Sequence, residues 1–458
     1  MADAGVLTVS QYAAALLGFL TNVIAARALG PTNFGVAALL MTFPILVMSF
    51  MSAKTISVTT RYLASLRASE RFEPLLAICR LGFAIDLTTA FIASLIVALS
   101  GWAVVAGFYD LSPRWVVPMI LFSLSLLPYA FIGTGYAVLT AWNKFRLLAT
   151  LYVLDAAVVL ACVAATLLTQ SSVEAVVLGT ALGQALFGLA VLVFVSRFLN
   201  RLGAGSWFRS RSASLGKLRG EVRTLLGWNY LLVTFGSLVA QVPVLLIGEI
   251  TGAKEAGYFR LALTVVTAAS ALEASMSRVV MPILSVRWSR GERLALQETL
   301  RTWTLRSGIS VSLMLLICTP FAPAVISQIF GDRFDPVGMG VQVMLLGAAV
   351  SSSLFWVNSL LVAAGRIDIL AKMIGLQAVL VILVGVFAAQ RWGFLGMCVV
   401  WTASKIVTTI WLARKASTQL HDALPSPDQE EAVDLSGMDQ SSSGPTRGRG
   451  GGPRGPSL

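Results

Sequence analysis

Twelve long apolar stretches, separated by Gly, Pro or charged clusters, divide this chain at about 6–28, 35–58, 79–107, 114–142, 146–169, 173–199, 224–250, 256–285, 307–331, 336–364, 367–390 and 392–414. About 20 apolar residues suffice to cross a bilayer as a helix. The runs are continuous and lack the ten-residue alternation of barrel strands, so they predict helices. Of the 458 residues, 57% are hydrophobic and 12% charged, about half the charged share of a soluble domain. Soluble enzymes and secreted disulfide scaffolds are therefore poor readings.

The net charge of +12 is better read as topology than as a nucleic-acid footprint, and no nucleic-acid partner is expected. Loops assigned alternately to two sides divide the basic residues unequally. Segments 61–80, 144–146, 197–223, 287–306, 366–372 and 414–415 carry 22 Lys and Arg, against six on the other side. The positive-inside rule then places both termini in the cytoplasm and implies an even number of spans in an inner membrane. No cleavable signal peptide is expected, since the first apolar run is long and many follow. Cys79, Cys162, Cys318 and Cys398 all lie in apolar runs without CxxC pairing and read as small core residues. The single His421 sits in a polar tail, which leaves no basis for a histidine zinc site, a Ser-His-Asp triad or a His proton relay, and no cofactor is expected.

The chain also repeats. Sliding it by 222 residues brings Gly30-Pro-Thr-Asn-Phe-Gly35 onto Gly252-Ala-Lys-Glu-Ala-Gly257, Glu70-Arg71 onto Glu292-Arg293, Phe108-Tyr-Asp110 onto Phe330-Gly-Asp332, and Ala141-Trp-Asn-Lys144 onto Ala363-Ala-Gly-Arg366. Six spans return the chain to its starting side, so the halves are parallel repeats. The expected fold is an all-α polytopic membrane protein with twelve transmembrane helices, arranged as two six-helix bundles around a central cleft. Its parts are residues 1–199, a basic cytoplasmic connector at 200–223, residues 224–415, and a disordered solubilising tail at 416–458.

Ala25-Ala-Arg-Ala-Leu-Gly-Pro-Thr-Asn-Phe-Gly35, Ile329-Phe-Gly-Asp-Arg-Phe334 and Leu361-Val-Ala-Ala-Gly-Arg366 resemble the polysaccharide-exporter family of O-antigen or Wzx-type flippases, over roughly residues 6–414. The resemblance implies the fold of the multidrug/oligosaccharidyl-lipid/polysaccharide exporter superfamily. It also implies a cargo, an undecaprenyl-diphosphate-linked oligosaccharide carried from the cytoplasmic to the periplasmic leaflet, with membrane lipids, a polysaccharide polymerase and chain-length machinery as further partners. Lipid II flippases are similar but typically have fourteen spans. Multidrug exporters of the superfamily often carry an acidic residue in the first helix, and Val6 to Ala28 contains no Asp or Glu.

Charges within apolar spans cost about 2.5–3.5 kcal/mol on insertion scales and mark functional candidates. The cations are Lys54, Arg260, Arg278 and Lys405, with Arg27 at the end of the first span. A guanidinium or ammonium in a low-dielectric cleft suits a diphosphate. Arg260 and Arg278 are eighteen residues apart, five turns, and share a face if their span is one helix. Snorkelling to headgroups is the alternative for Lys54, Arg260 and Arg278, and interfacial anchoring for Arg27. Asp86, Asp155, Glu249 and Glu273 are the acidic candidates for ion coupling. Asp155, near mid-membrane, suits a proton carrier or a counter-charge to Lys405, unless it is neutral and hydrogen-bonded between helices. Prolines 44, 118, 128, 243, 282, 320 and 323 bend spans, for motion or for fixed packing. No Walker A or GxSxG sequence occurs. The reading is a flippase that catalyses no covalent step, working by alternating access. A cation-coupled multidrug antiporter and a lipid II flippase are the alternatives; a membrane-embedded polymerase would need a large outer loop, and every outer loop here is short.

Overall fold

A computed structural model describes residues 2–52, 63, 72–201 and 219–422, and among these it contains helices and turns but no strand. In the first half lie α1 (Ala2–Met51), α2 (Phe72–Trp102), α3 (Val116–Tyr129), α4 (Phe131–Ala141), α5 (Phe145–Thr169) and α6 (Val173–Arg201). The second half holds α7 (Arg219–Ile250), α8 (Ala253–Ala269), α9 (Ala271–Ser289), α10 (Arg293–Trp303), α11 (Ile309–Cys318), α12 (Ala322–Phe330), α13 (Asp335–Ser353), α14 (Val357–Ala363) and α15 (Ile367–Asp422). Lys54, most of the 200–223 connector and residues 423–458 of the expected tail lie outside the described residues; residues 416–422 of that tail instead continue α15, with Ala416 and Leu420 buried, because their apolar side chains pack on the second half's core.

Among the described residues, nine helical runs are long and apolar enough to cross a membrane, or ten when the bent pair α8 and α9 counts as one. Two runs, of 47 and 54 residues, measure roughly 70 and 80 Å at 1.5 Å per residue, more than twice a hydrocarbon core of about 30 Å. Each is interrupted once, at Gly30 (φ 69°) and at Gly393 (φ 59°). The expected twelve is reached only by counting each of these runs as two spans. Glycine tolerates the left-handed backbone at both breaks, and Pro31 restarts the helix without needing an amide hydrogen. After Gly393 the freed Phe394 amide donates to Glu255 Oε2 at 2.8 Å, so a carboxylate on α8 caps the resumed helix.

The repeat is visible in backbone geometry. Gly30 and Gly252 both have positive φ, as do Asn143 and Gly365, each pair 222 residues apart. Gly35 and its counterpart Gly257 pack directly on each other: a Cβ on Gly35 would lie 3.0 Å from the Gly257 amide nitrogen, and one on Gly257 would lie 3.1 Å from the Gly35 Cα. Equivalent residues of the two halves therefore meet.

Burial divides the molecule unevenly between its ends. One apolar core combines both halves around Phe34, Leu39, Phe122, Phe259, Phe334 and Met344. These residues lie toward the end that carries the Gly30, Gly252 and Gly331 turns, called here the distal end. Toward the opposite end, which carries the first residues of α1, each half has its own core, around Leu139 and Phe187 in one and around Leu284 and Leu360 in the other. The hydrophobic interior is continuous distally and forked below. Large apolar side chains also cover the outside, with Leu99, Leu168 and Phe387 all more than two-thirds exposed. Such a surface is suited to lipid, and the chain is a multi-pass membrane protein.

The lipid environment also corrects the cysteine reading. Cys79 and Cys398 are buried, Cys162 is half-buried, and Cys318 is exposed. An apolar run around a bilayer helix has a lipid-facing side as well as a core side.

Candidate functional site

The fork between the two lower cores is the space between the halves. Its apex is tightly closed. Phe19 meets Phe330 edge-on at a centroid separation of 5.8 Å, Phe34 meets Phe334 at 6.4 Å, and Tyr258 donates from its hydroxyl to the Arg333 carbonyl. Below the apex, α1 from Gln11 to Val23 and α7 from Leu231 to Val242 are mostly half-buried. At the lip a cavity of about 470 Å³ places Thr8 of the first half opposite Met276, Val279, Ile283, Trp303 and Phe355 of the second.

Arg260 stands on α8, eight residues and about 12 Å below the Gly252 break. It is half-buried, and Nη1 donates a long 3.4 Å hydrogen bond to Gln241 Oε1 on α7. Among the described residues no carboxylate pairs with it. Arg278 lies on α9, and its side chain is outside the described residues. The expectation that these two arginines share a helix face is corrected here. The backbone bends by 43° between α8 and α9, at Ser270, so periodicity does not carry from 260 to 278.

Lys405 is placed in the second half alone. With Glu273, Ser351, Asn358, Gln377, Thr408 and Thr409 it lines a cavity of about 60 Å³ among α9, α13, α14 and α15, room for a few water molecules. Ser351 donates to Glu273 Oε1 at 2.7 Å. Asp155 does not balance Lys405. It sits in the first half on α5, where the Tyr129 hydroxyl donates to Oδ2 at 3.0 Å, while Oδ1 is buried without a partner. Tyr136, whose hydroxyl is likewise buried and unpartnered, stacks edge-on with Tyr152 at 4.9 Å.

The remaining candidates are dispersed. Asp86 is buried, and its Oδ2 accepts from Thr134 Oγ1 at 2.5 Å and from the Thr134 amide at 3.3 Å, tying α2 to α4. Glu249 is exposed, one residue from the end of α7. Together with burial, which acts more strongly, it holds the Tyr109 phenol above the usual range. Arg27 is exposed at the distal end, donating from Nε to the Ile329 carbonyl and from Nη2 to the Gln328 carbonyl, both at 2.6 Å. Among the described residues no three His, Cys, Asp or Glu side chains gather as a metal-ligand set.

Sequence reasoning missed the neutral partners: Gln241 for Arg260, Tyr129 for Asp155, Thr134 for Asp86 and Ser351 for Glu273. Hydroxyls and amides are common in apolar spans, so only the acidic or basic member of each pair stands out in a sequence. No local signal joins Arg27 to carbonyls some 300 residues away.

A duplicated all-helical bundle, joined at one face and forked at the other, defines the class: a multi-pass membrane protein built from two parallel repeats. Within that class the chain belongs to the polysaccharide biosynthesis protein family, whose profile matches residues 1–288. No curated protein matches the sequence. Solved structures share the fold at low identity. A multidrug resistance MATE family transporter of the MOP superfamily, inward-facing, aligns with TM-score 0.73 at 12% identity, covering 89% of this chain and 95% of that one. Lipid II flippase MurJ in its inward closed conformation aligns with TM-score 0.68 at 12% identity, covering 96% and 93%. A MOP superfamily transporter from Pyrococcus furiosus, described as having reversed polarity of its binding pocket, gives 0.66 at 11%, covering 93% and 96%.

Proposed function

We propose that this protein carries an undecaprenyl-diphosphate-linked oligosaccharide from the cytoplasmic to the periplasmic leaflet of an inner membrane by alternating access, with both termini cytoplasmic and no covalent step. The distal end is then periplasmic and the fork opens toward the cytoplasm. The observation that carries this reading is Arg260, a guanidinium held between α7 and α8 by one long bond to a neutral amide and, among the described residues, by no carboxylate. An intramembrane cation left in that state favours an anionic cargo, since a diphosphate supplies the charge-assisted bonds that Gln241 cannot. An organic cation would be repelled by the same group, which sets this reading above a multidrug antiporter.

The other charged candidates take different parts. Arg278 and Lys54 are proposed as further phosphate partners. Lys405, enclosed with Glu273 inside the second half, is proposed to act through that half's internal charge balance, not by touching cargo. Asp155, with one oxygen unpartnered beside Tyr129, is proposed as the proton carrier.

Replacement of Arg260 by Gln in the native host tests the assignment. Surface polysaccharide built from lipid-linked repeats is expected to fall at least about 10-fold, the effect of one lost charge-assisted contact, at unchanged abundance in the membrane. Arg260→Lys should recover part of it, because an ammonium keeps the charge but not the fork. Wild-type polysaccharide from Arg260→Gln would refute the assignment, and gained resistance to organic cations in cells making the wild-type protein would favour the antiporter.

A further inference from the structure

The distal seal contains an asymmetry at one repeat-equivalent position. Helix α12 ends at Phe330, and Gly331 follows with φ 89°. An α-helix leaves its last four carbonyls without intrahelical donors. Here the Gly331 amide satisfies the Ser327 carbonyl at 2.8 Å, and the next two carbonyls, Gln328 and Ile329, both accept from Arg27 at 2.6 Å. Arg27 belongs to the first half and α12 to the second. A cation here also faces the negative end of the helix dipole. The guanidinium is exposed, so water can replace the carbonyls when the halves separate.

The repeat-equivalent position, 222 residues on, is Glu249. The segment equivalent to Gln328 and Ile329 is Ala106 and Gly107, in the helical turn Ala103–Phe108. A carboxylate has no hydrogen to give to carbonyl oxygens, so Glu249 cannot form the second copy of the contact, and it is exposed. The two sides share the close glycine contact and its turns: Gly35 and Gly257 touch, and Gly30 and Gly252 turn the chain in the same way.

We propose that Arg27 is a releasable latch on the distal gate, and that the other side lacks this latch because Glu249 occupies the equivalent place. The proposal rests on the alternating-access reading. Arg27 is then a positioning residue: it sets the balance between the distal-closed and distal-open states and does not touch cargo. Its loss favours the open state and its duplication favours the closed one.

Spin labels on cysteines placed at Thr32 and Asp332, both exposed at the distal end and in opposite halves, measure the gate in the full chain reconstituted in lipid. The wild-type protein is expected to show a dominant short-distance population. Arg27→Gln should raise the long-distance share relative to the short one about 10-fold, as for one lost hydrogen bond to a charged group. Arg27→Lys should fall between them. Glu249→Arg, which supplies the missing donor, should lower the long-distance share and should offset Arg27→Gln when the two are combined. Distances in Arg27→Gln and Glu249→Arg indistinguishable from wild type would overturn the latch. Because Glu249→Arg removes no contact of Arg27, it tests the idea even if Arg27→Gln folds poorly. Failure of the transport reading is distinguishable, since a gate that widens in Arg27→Gln while the wild type moves no lipid-linked cargo sinks the flippase and leaves the latch.

Discussion

The contact between Gly35 and Gly257 gives a perturbation whose size follows from the coordinates. A methyl group on Gly35 would stand 1.7 Å from the Ala253 carbonyl oxygen and 2.6 Å from its carbon. Ordinary contact begins near 3.4 Å, so the start of α8 must retreat by about 1.7 Å. Both neighbours are backbone, which has no rotamer to change. Overpacking of a well-filled core costs about 1–3 kcal/mol, and here the strain acts across the seam between the halves. Gly35→Ala is therefore expected to lower the thermal stability of the purified protein and to lengthen the distal spin-label distance. Gly18→Ala is the control. Nothing lies within 4 Å of a Cβ there, and the helix gains up to about 1 kcal/mol from losing a glycine. A Gly35→Ala protein that melts with the wild type and keeps its distal distance would refute the seam.

Thr134→Val is expected to destabilise the first half by about 1–3 kcal/mol, because the buried Asp86 carboxyl would lose its hydroxyl donor; thermal unfolding reads this, with transport per folded molecule preserved. Asp155→Asn is expected to leave stability nearly unchanged, since an amide oxygen can still accept from Tyr129, while transport stops responding to an imposed proton gradient. A gradient response equal to wild type would remove Asp155 from the coupling step.

Much of the fold is legible in the sequence because a bilayer leaves few solutions. Continuous apolar runs must be helices, and the repeat shows through the positions where backbone geometry demands glycine, such as Gly30 with Gly252. Gly35 with Gly257 is legible for a related reason, since only residues without a side chain let two backbones touch. The site is less legible. The bend at Ser270 carries neither Gly nor Pro, so a periodicity argument runs through it unchecked and joins Arg260 to Arg278. Spacing along the chain cannot say whether an intramembrane charge faces the other half or its own bundle. Lys405 and Asp155 therefore look like partners until the structure places Lys405 in a cavity with Glu273 in the second half and Asp155 beside Tyr129 in the first.

Transport of an isoprenoid diphosphate-linked sugar through a fork that opens on one face at a time is open to direct measurement. Purified protein in vesicles, with undecaprenyl-diphosphate-linked oligosaccharide in the inner leaflet and a lectin or glycosidase outside, measures this directly. The sugar is expected to become accessible outside with wild-type protein, and far more slowly with Arg260→Gln at equal reconstitution. Accessibility no faster than in protein-free vesicles, with the distal gate shown to open and close, would contradict it.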